Sequence, residues 1–129
     1  MKQIVIFFIL KFSLTCIFAQ EVKHNFLVEP QLVNCDSLKL VGFSTNQCID
    51  SIRASKFRFD QSFRLTRKQG LQTAEYFSCD NKYGYLIVRY NGLVNLFYNV
   101  ERRIWDQMIS SSDPGGYYLE IKKQLNNFP

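Results

Sequence analysis

The sequence has 129 residues, 47% hydrophobic and 21% charged, with only six glycines and three prolines. That is the composition of one packed domain and excludes a disordered or collagen-like chain. A single histidine, His24, excludes multi-histidine metal centres, and no glycine-rich phosphate loop of the usual spacing occurs, so most familiar enzyme classes lack their residues.

The chain opens with Met1-Lys2-Gln3, runs through an apolar stretch from Ile4 to Phe18 and reaches Ala19 before Gln20-Glu21. This pattern predicts a secretory signal peptide over residues 1–19, cut before Gln20. An uncleaved anchor is disfavoured because Lys11 leaves the run short of the ~20 apolar residues a span needs. A lipid anchor on Cys16 is disfavoured because Ser13 stands where a bacterial lipobox has an aliphatic residue. The expected location is therefore secreted or periplasmic, with no membrane span after cleavage. Of the 16 basic residues, Lys2 and Lys11 leave with the leader, so 14 face 11 acidic ones, a net charge of +3. This is too mild to name a partner.

Cleavage also removes Cys16 and leaves Cys35, Cys48 and Cys79, an odd number in a compartment that permits disulfides. Cys35 and Cys48 are close in sequence and lie outside the best-patterned half, so they are the expected pair, for about 3 kcal/mol. The alternative is three buried thiols.

Residues 20–55 read as an irregular N-terminal extension containing Pro30. Within it, Leu38, Leu40 and Phe43 suggest a short strand, and Cys48, Ile49 and Ile52 suggest one or two helical turns. The domain proper is expected over 56–129. From Lys56 to Arg67, Phe57, Phe59, Phe63 and Leu65 alternate with polar residues, with one polar slip at Gln61, as in a strand with a basic outer face. After Gly70, Ala74 to Cys79 is a strand candidate, Asp80 to Gly84 is turn chemistry, and Gly84 to Tyr90 is a second strand.

Asn91-Gly92 is the strongest short hairpin signal, because a type I′ turn needs φ > 0 at both central residues. It pairs Tyr90 with Leu93. Leu86, Val88, Tyr90, Leu93, Asn95 and Phe97 then share one face, and Tyr85, Ile87, Arg89, Val94, Leu96 and Tyr98 share the other. Both faces are largely apolar, which predicts cover on both sides, helices on one and the N-terminal half on the other. Asn99 is expected to cap a helix carrying Ile104, Trp105, Met108 and Ile109. Asp113 and Pro114 should open a second, carrying Tyr117, Tyr118, Ile121 and Leu125. The fold class is thus α+β: a small antiparallel sheet with two C-terminal helices packed on one face.

Over residues 73–128 this order, with Leu86-Ile87-Val88-Arg89-Tyr90, Gly92, Asn95-Leu96-Phe97, Val100 and Asp113-Pro114-Gly115 before Tyr117-Tyr118, resembles the KTSC domain, the small module named for the C-terminus of some lysyl-tRNA synthetases. Asn95 and Phe97 stand where the family has a Tyr-x-Tyr strand, so the aromatic pair is half lost, and the hairpin is about one residue shorter. The resemblance implies no catalytic activity and no cofactor. It suggests RNA binding through the synthetases, which export disfavours. Leader and family together suggest a bacterial source.

Lys56, Arg58 and Arg64, with Arg67 and Lys68 nearby, interleave with phenylalanines in a mix suited to nucleic acid or another anionic polymer. A solvated basic face over core phenylalanines is the plainer reading. His24 lies close to the expected mature start and reads as idle. Cys79 adjoins Asp80, whose charge would raise a thiol pKa, so a buried thiol is expected. Glu101 and Asp106 do not share a helix face, Trp105 and Met108 read as core, and no metal site is expected. The expected function is a non-enzymatic module binding a protein or an anionic polymer, without a cofactor. The alternatives are a small thiol-dependent hydrolase or redox protein using Cys79, and a nucleic-acid-binding module.

Overall fold

A computed structural model describes residues 34–128. The leader, its cleavage site, Pro30 and His24 lie outside the described residues. A five-stranded sheet forms in simple sequence order from β1 (Phe59–Arg64), β2 (Leu71–Ser78), β3 (Tyr83–Tyr90), β4 (Leu93–Glu101) and β5 (Asn126–Asn127), every pair antiparallel. Helix α1 (Thr45–Ala54) precedes the sheet, and α2 (Arg102–Ser110) and α3 (Pro114–Ile121) follow β4. This is the expected α+β fold with both C-terminal helices on one face.

The hairpin register is the one that Asn-Gly dictates: Tyr90 opposes Leu93, Val88 opposes Asn95 and Leu86 opposes Phe97. Asn91 has φ 50° and Gly92 φ 78°, as the type I′ turn requires. Beyond Leu86 the register shifts, with Gly84 opposite Val100. Tyr98 and Asn99 there oppose the single residue Tyr85, and Asn99 takes φ 55°. Asn99 therefore serves a bulge inside β4 and not, as expected, a helix cap. Glu101 holds the cap position of α2 without a side-chain bond, whereas Asp113 caps α3 as predicted, its carboxylate accepting the Gly116 N–H at 3.1 Å.

Trp105, Met108, Tyr118 and Ile121 of α2 and α3 bury one sheet face with Tyr76, Leu86, Val88 and Phe97. Trp105 stacks on Tyr76 with centroids 5.7 Å apart and planes at 14°. The polar slip at Gln61 is explained here: it shares the inward face with Phe59 and Phe63, and its Oε1 accepts the Trp105 indole N–H at 2.8 Å. A buried indole N–H needs such a partner. Asn95 and Phe97 also face inward, Phe97 fully buried beside Tyr118, so the strand that carries the resemblance is core and not an exposed aromatic platform.

The second face corrects two expectations. Residues 34–55 are not an irregular extension, and 38–43 form no strand. After a 3-10 turn at Cys35–Ser37, Ser44 opens α1 with a capping box, accepting the Gln47 N–H while its own N–H bonds the Gln47 side chain. Leu40, Cys48, Ile49 and Ile52 then bury against Ile87 and Leu96. Each buried isoleucine contributes about 1.5–3 kcal/mol, enough to make this layer part of the domain. The cysteines are the other correction. Cys35 is bonded to Cys79, with Cα atoms 5.9 Å apart, and Cys48 is a free, buried thiol. Cys48 could not reach Cys35 because α1 turns it onto the sheet with Ile49 and Ile52, whereas Cys35 is held beside Lys56, whose carbonyl accepts its N–H at 3.1 Å.

Candidate functional site

The antiparallel register sets out the rows of the α1-side face. Arg64 opposes Thr73, which opposes Arg89; one row on, Ser62 opposes Glu75, which opposes Ile87. Neighbouring strands lie ~4.8 Å apart, so the two arginines flank Thr73 at a backbone separation of about 10 Å. Helix α1 covers the Ile87–Leu96 side, and its buried residues make no cluster with the Arg64–Thr73–Arg89 row. What remains is an open groove of ≈ 820 Å³, lined by Arg53, Arg64, Arg67 and Arg89 with Glu75, Ser62, Thr73 and Gln72, and edged by Phe63 and Leu65.

Each arginine arrives from a different element: Arg53 from the last turn of α1, Arg64 from the end of β1, Arg67 from the β1–β2 connection and Arg89 from β3. The connection is anchored to the hairpin turn. Asn91 Oδ1 accepts the Gly70 N–H at 2.6 Å, the Gly70 carbonyl accepts the Asn91 N–H at 2.9 Å, and Gln72 Oε1 accepts the Gly92 N–H at 2.8 Å. Gln72 can reach the turn because β2 gains its extra residue there, between the Leu71 and Thr73 pairings.

Arg53 is engaged within the groove, its guanidinium making a forked contact with the Glu75 carboxylate whose Nε bonds measure 3.1 and 3.2 Å. The other ion pairs among the described residues, Arg102–Asp106 and Arg103–Glu101, lie elsewhere. Arg64, Arg67 and Arg89 therefore have no carboxylate partner among the described residues. Three guanidiniums without a carboxylate partner among the described residues, each a planar fork of N–H donors, have the chemistry to accept phosphate, sulfate or carboxylate groups.

Of the expected basic face, Arg64 belongs to this groove, but Lys56 and Arg58 do not line it. Both are exposed and precede β1. Arg53 and Arg89 were missed because they lie 11 residues before and 25 after Arg64 in the chain, and only the register and the α1 layer bring them together.

The cysteine chemistry also differs from expectation. Cys79 is not a buried thiol: its sulfur is in the bond to Cys35, so it offers no thiolate nucleophile. Cys35, Asp36 and Cys79 are the one convergence of potential metal-binding side chains among the described residues, and two of its three donors are the disulfide sulfurs. Burial pushes the Cys48 thiol up, and it faces the Leu40 carbonyl at 3.7 Å, an environment suited to packing. Among the described residues, no helix is long and apolar enough to cross a membrane. No family model, curated protein or solved structure matches the chain.

Proposed function

We propose that this chain is an exported, non-enzymatic binding module that holds an anionic polymer along the arginine groove. The observation that carries the reading is the meeting of Arg64, Arg67 and Arg89, all without a carboxylate partner among the described residues, in one open groove. Such a groove takes successive charged groups of a chain and releases their counterions. The predicted leader and a disulfide between Cys35 and Cys79 agree with an oxidising compartment, which favours an extracellular or periplasmic polyanion over RNA. The KTSC resemblance supports a small module of this architecture and adds no ligand.

Heparin serves as the probe polyanion. Substituting Arg64, Arg67 and Arg89 together by Gln should leave the fold intact, lower heparin affinity and flatten the dependence of log Kd on log salt by about 2, at ~0.7 per lost contact. A control with Lys39, Lys122 and Lys123 changed to Gln removes the same charge elsewhere. Equal loss in the control would reduce the groove to general surface charge.

A further inference from the structure

The outer edge of β1 is unpaired among the described residues, and β1 ends the sheet. Its exposed backbone groups can be assigned. The Leu65 N–H bonds the Gln72 carbonyl at 2.8 Å, and the register from Phe59 opposite Ser78 to Arg64 opposite Thr73 runs without a shift. Antiparallel ladders alternate bonded and non-bonded pairs, so Phe59, Gln61 and Phe63 bond inward to β2, while Asp60, Ser62 and Arg64 turn their N–H and C=O groups outward. All three side chains are exposed.

We propose that this edge pairs with the same edge of a second copy, about a two-fold axis at Ser62, joining two five-stranded sheets into one of ten strands. In that register the outward Ser62 groups bond to the partner's Ser62. Asp60 lies opposite the partner's Arg64, and Arg64 opposite the partner's Asp60. The two cross-strand ion pairs repeat by symmetry, and on the other face Phe59 meets the partner's Leu65 while Gln61 meets the partner's Phe63. Directly opposed residues share a face, and opposite charges there attract.

The charges also select this register. A two-residue slip one way sets Arg58 against the partner's Arg64, a like-charge contact, and a slip the other way leaves both charges of β1 without an opposite partner. Edge charges commonly prevent strand addition by any partner. Here they repel one neighbouring alignment, leave the other without an ion pair and match this one. A second copy of this chain is thus the partner whose charge pattern fits. The inference goes beyond the polyanion reading and shares Arg64 with it: in the pair Arg64 gains a carboxylate partner, and the groove keeps the Arg67 and Arg89 guanidiniums.

The test is the oligomeric state of the mature protein, disulfide intact, by sedimentation equilibrium. Wild type should dimerise. Asp60→Arg alone and Arg64→Asp alone should each weaken the dimer by about tenfold or more, since each turns two attractive contacts into two repulsive ones. The double variant Asp60→Arg/Arg64→Asp should restore it. Ser62→Pro deletes only an outward N–H, so it should fold normally and be monomeric. A wild type that stays monomeric up to about 100 μM would overturn the proposal, as would a double variant no tighter than the singles.

Discussion

Gly84 separates two reasons for a glycine in a strand. It opens the bulged end of β3 opposite Ser78, and a Cβ built on it would lie 2.1 Å from the Phe77 carbonyl oxygen, 2.9 Å from the Phe77 carbonyl carbon and 3.0 Å from Tyr76 Cζ. The first two atoms are backbone of β2 and cannot rotate away. Relief requires the β2–β3 spacing to open just where Tyr76 donates its hydroxyl to the Val100 carbonyl at 2.9 Å. Gly84→Ala should therefore cost about 3 kcal/mol, the upper end of the range for overpacking. For a domain of this size each kcal/mol lowers Tm by ~4–8 °C, so melting should fall by about 12 °C or more. Gly92 is the contrast: a Cβ there meets nothing within 4 Å, and only φ +78° opposes it. Gly92→Ala should cost about 1–2 kcal/mol, and Gly92→Asn, which tolerates that φ, much less. Thermal and urea denaturation followed by circular dichroism measures both. Gly84→Ala melting within about 2 °C of wild type would refute the close-approach argument.

The Cys35–Cys79 bond closes a loop of 44 residues, which corresponds to about 4 kcal/mol of unfolded-chain entropy. Cys79→Ser should lose about that much, and a non-reducing peptide map should link Cys35 to Cys79 while Cys48 alkylates only after unfolding; a Cys35–Cys48 peptide would refute the pairing. Burial pushes the phenols of Tyr76 and Tyr118 up to about 12 from an ordinary 10.0. The folded chain thus holds two protons that the unfolded chain releases, so stability is full below pH 10 and falls as pH rises from there towards 12. Spectrophotometric titration should show two phenols ionising only as the chain unfolds, and reversible ionisation of every tyrosine by about pH 11 with the fold retained would contradict it.

Local chemistry was legible in the sequence and long-range convergence was not. Asn91-Gly92 set the β3–β4 register from Tyr90 opposite Leu93 as far as Leu86 opposite Phe97, because turn and pleat leave no freedom once φ > 0 is fixed at two residues, until the bulge at Asn99 shifts it. Asp113-Pro114 set the start of α3 for a similarly local reason. Helix α1 carried a readable signal, Ser44 with Gln47 three residues on, obscured by its polar first turn and the short apolar stripe that follows. Asn99 misled because one side chain suits both a helix cap and a left-handed bulge position, and only the Gly84–Leu86 register shift decides between them. The disulfide and the arginine groove each join residues from separate elements, so neither leaves a pattern in any window of the sequence.

The distance between Cys35 and Cys79 has a consequence for the order of events during synthesis. A chain made from its N-terminus presents Cys35 and Cys48 together while Cys79 is still 31 residues behind Cys48. A thiol oxidised in that interval finds only the wrong neighbour, and α1 cannot then shelter Cys48, since the strands it packs on, with Ile87 and Leu96, are later still. The native bond therefore forms after Cys79 has emerged, or by exchange from a mispaired chain. A catalyst of disulfide exchange acts most on this pairing when oxidation runs ahead of synthesis.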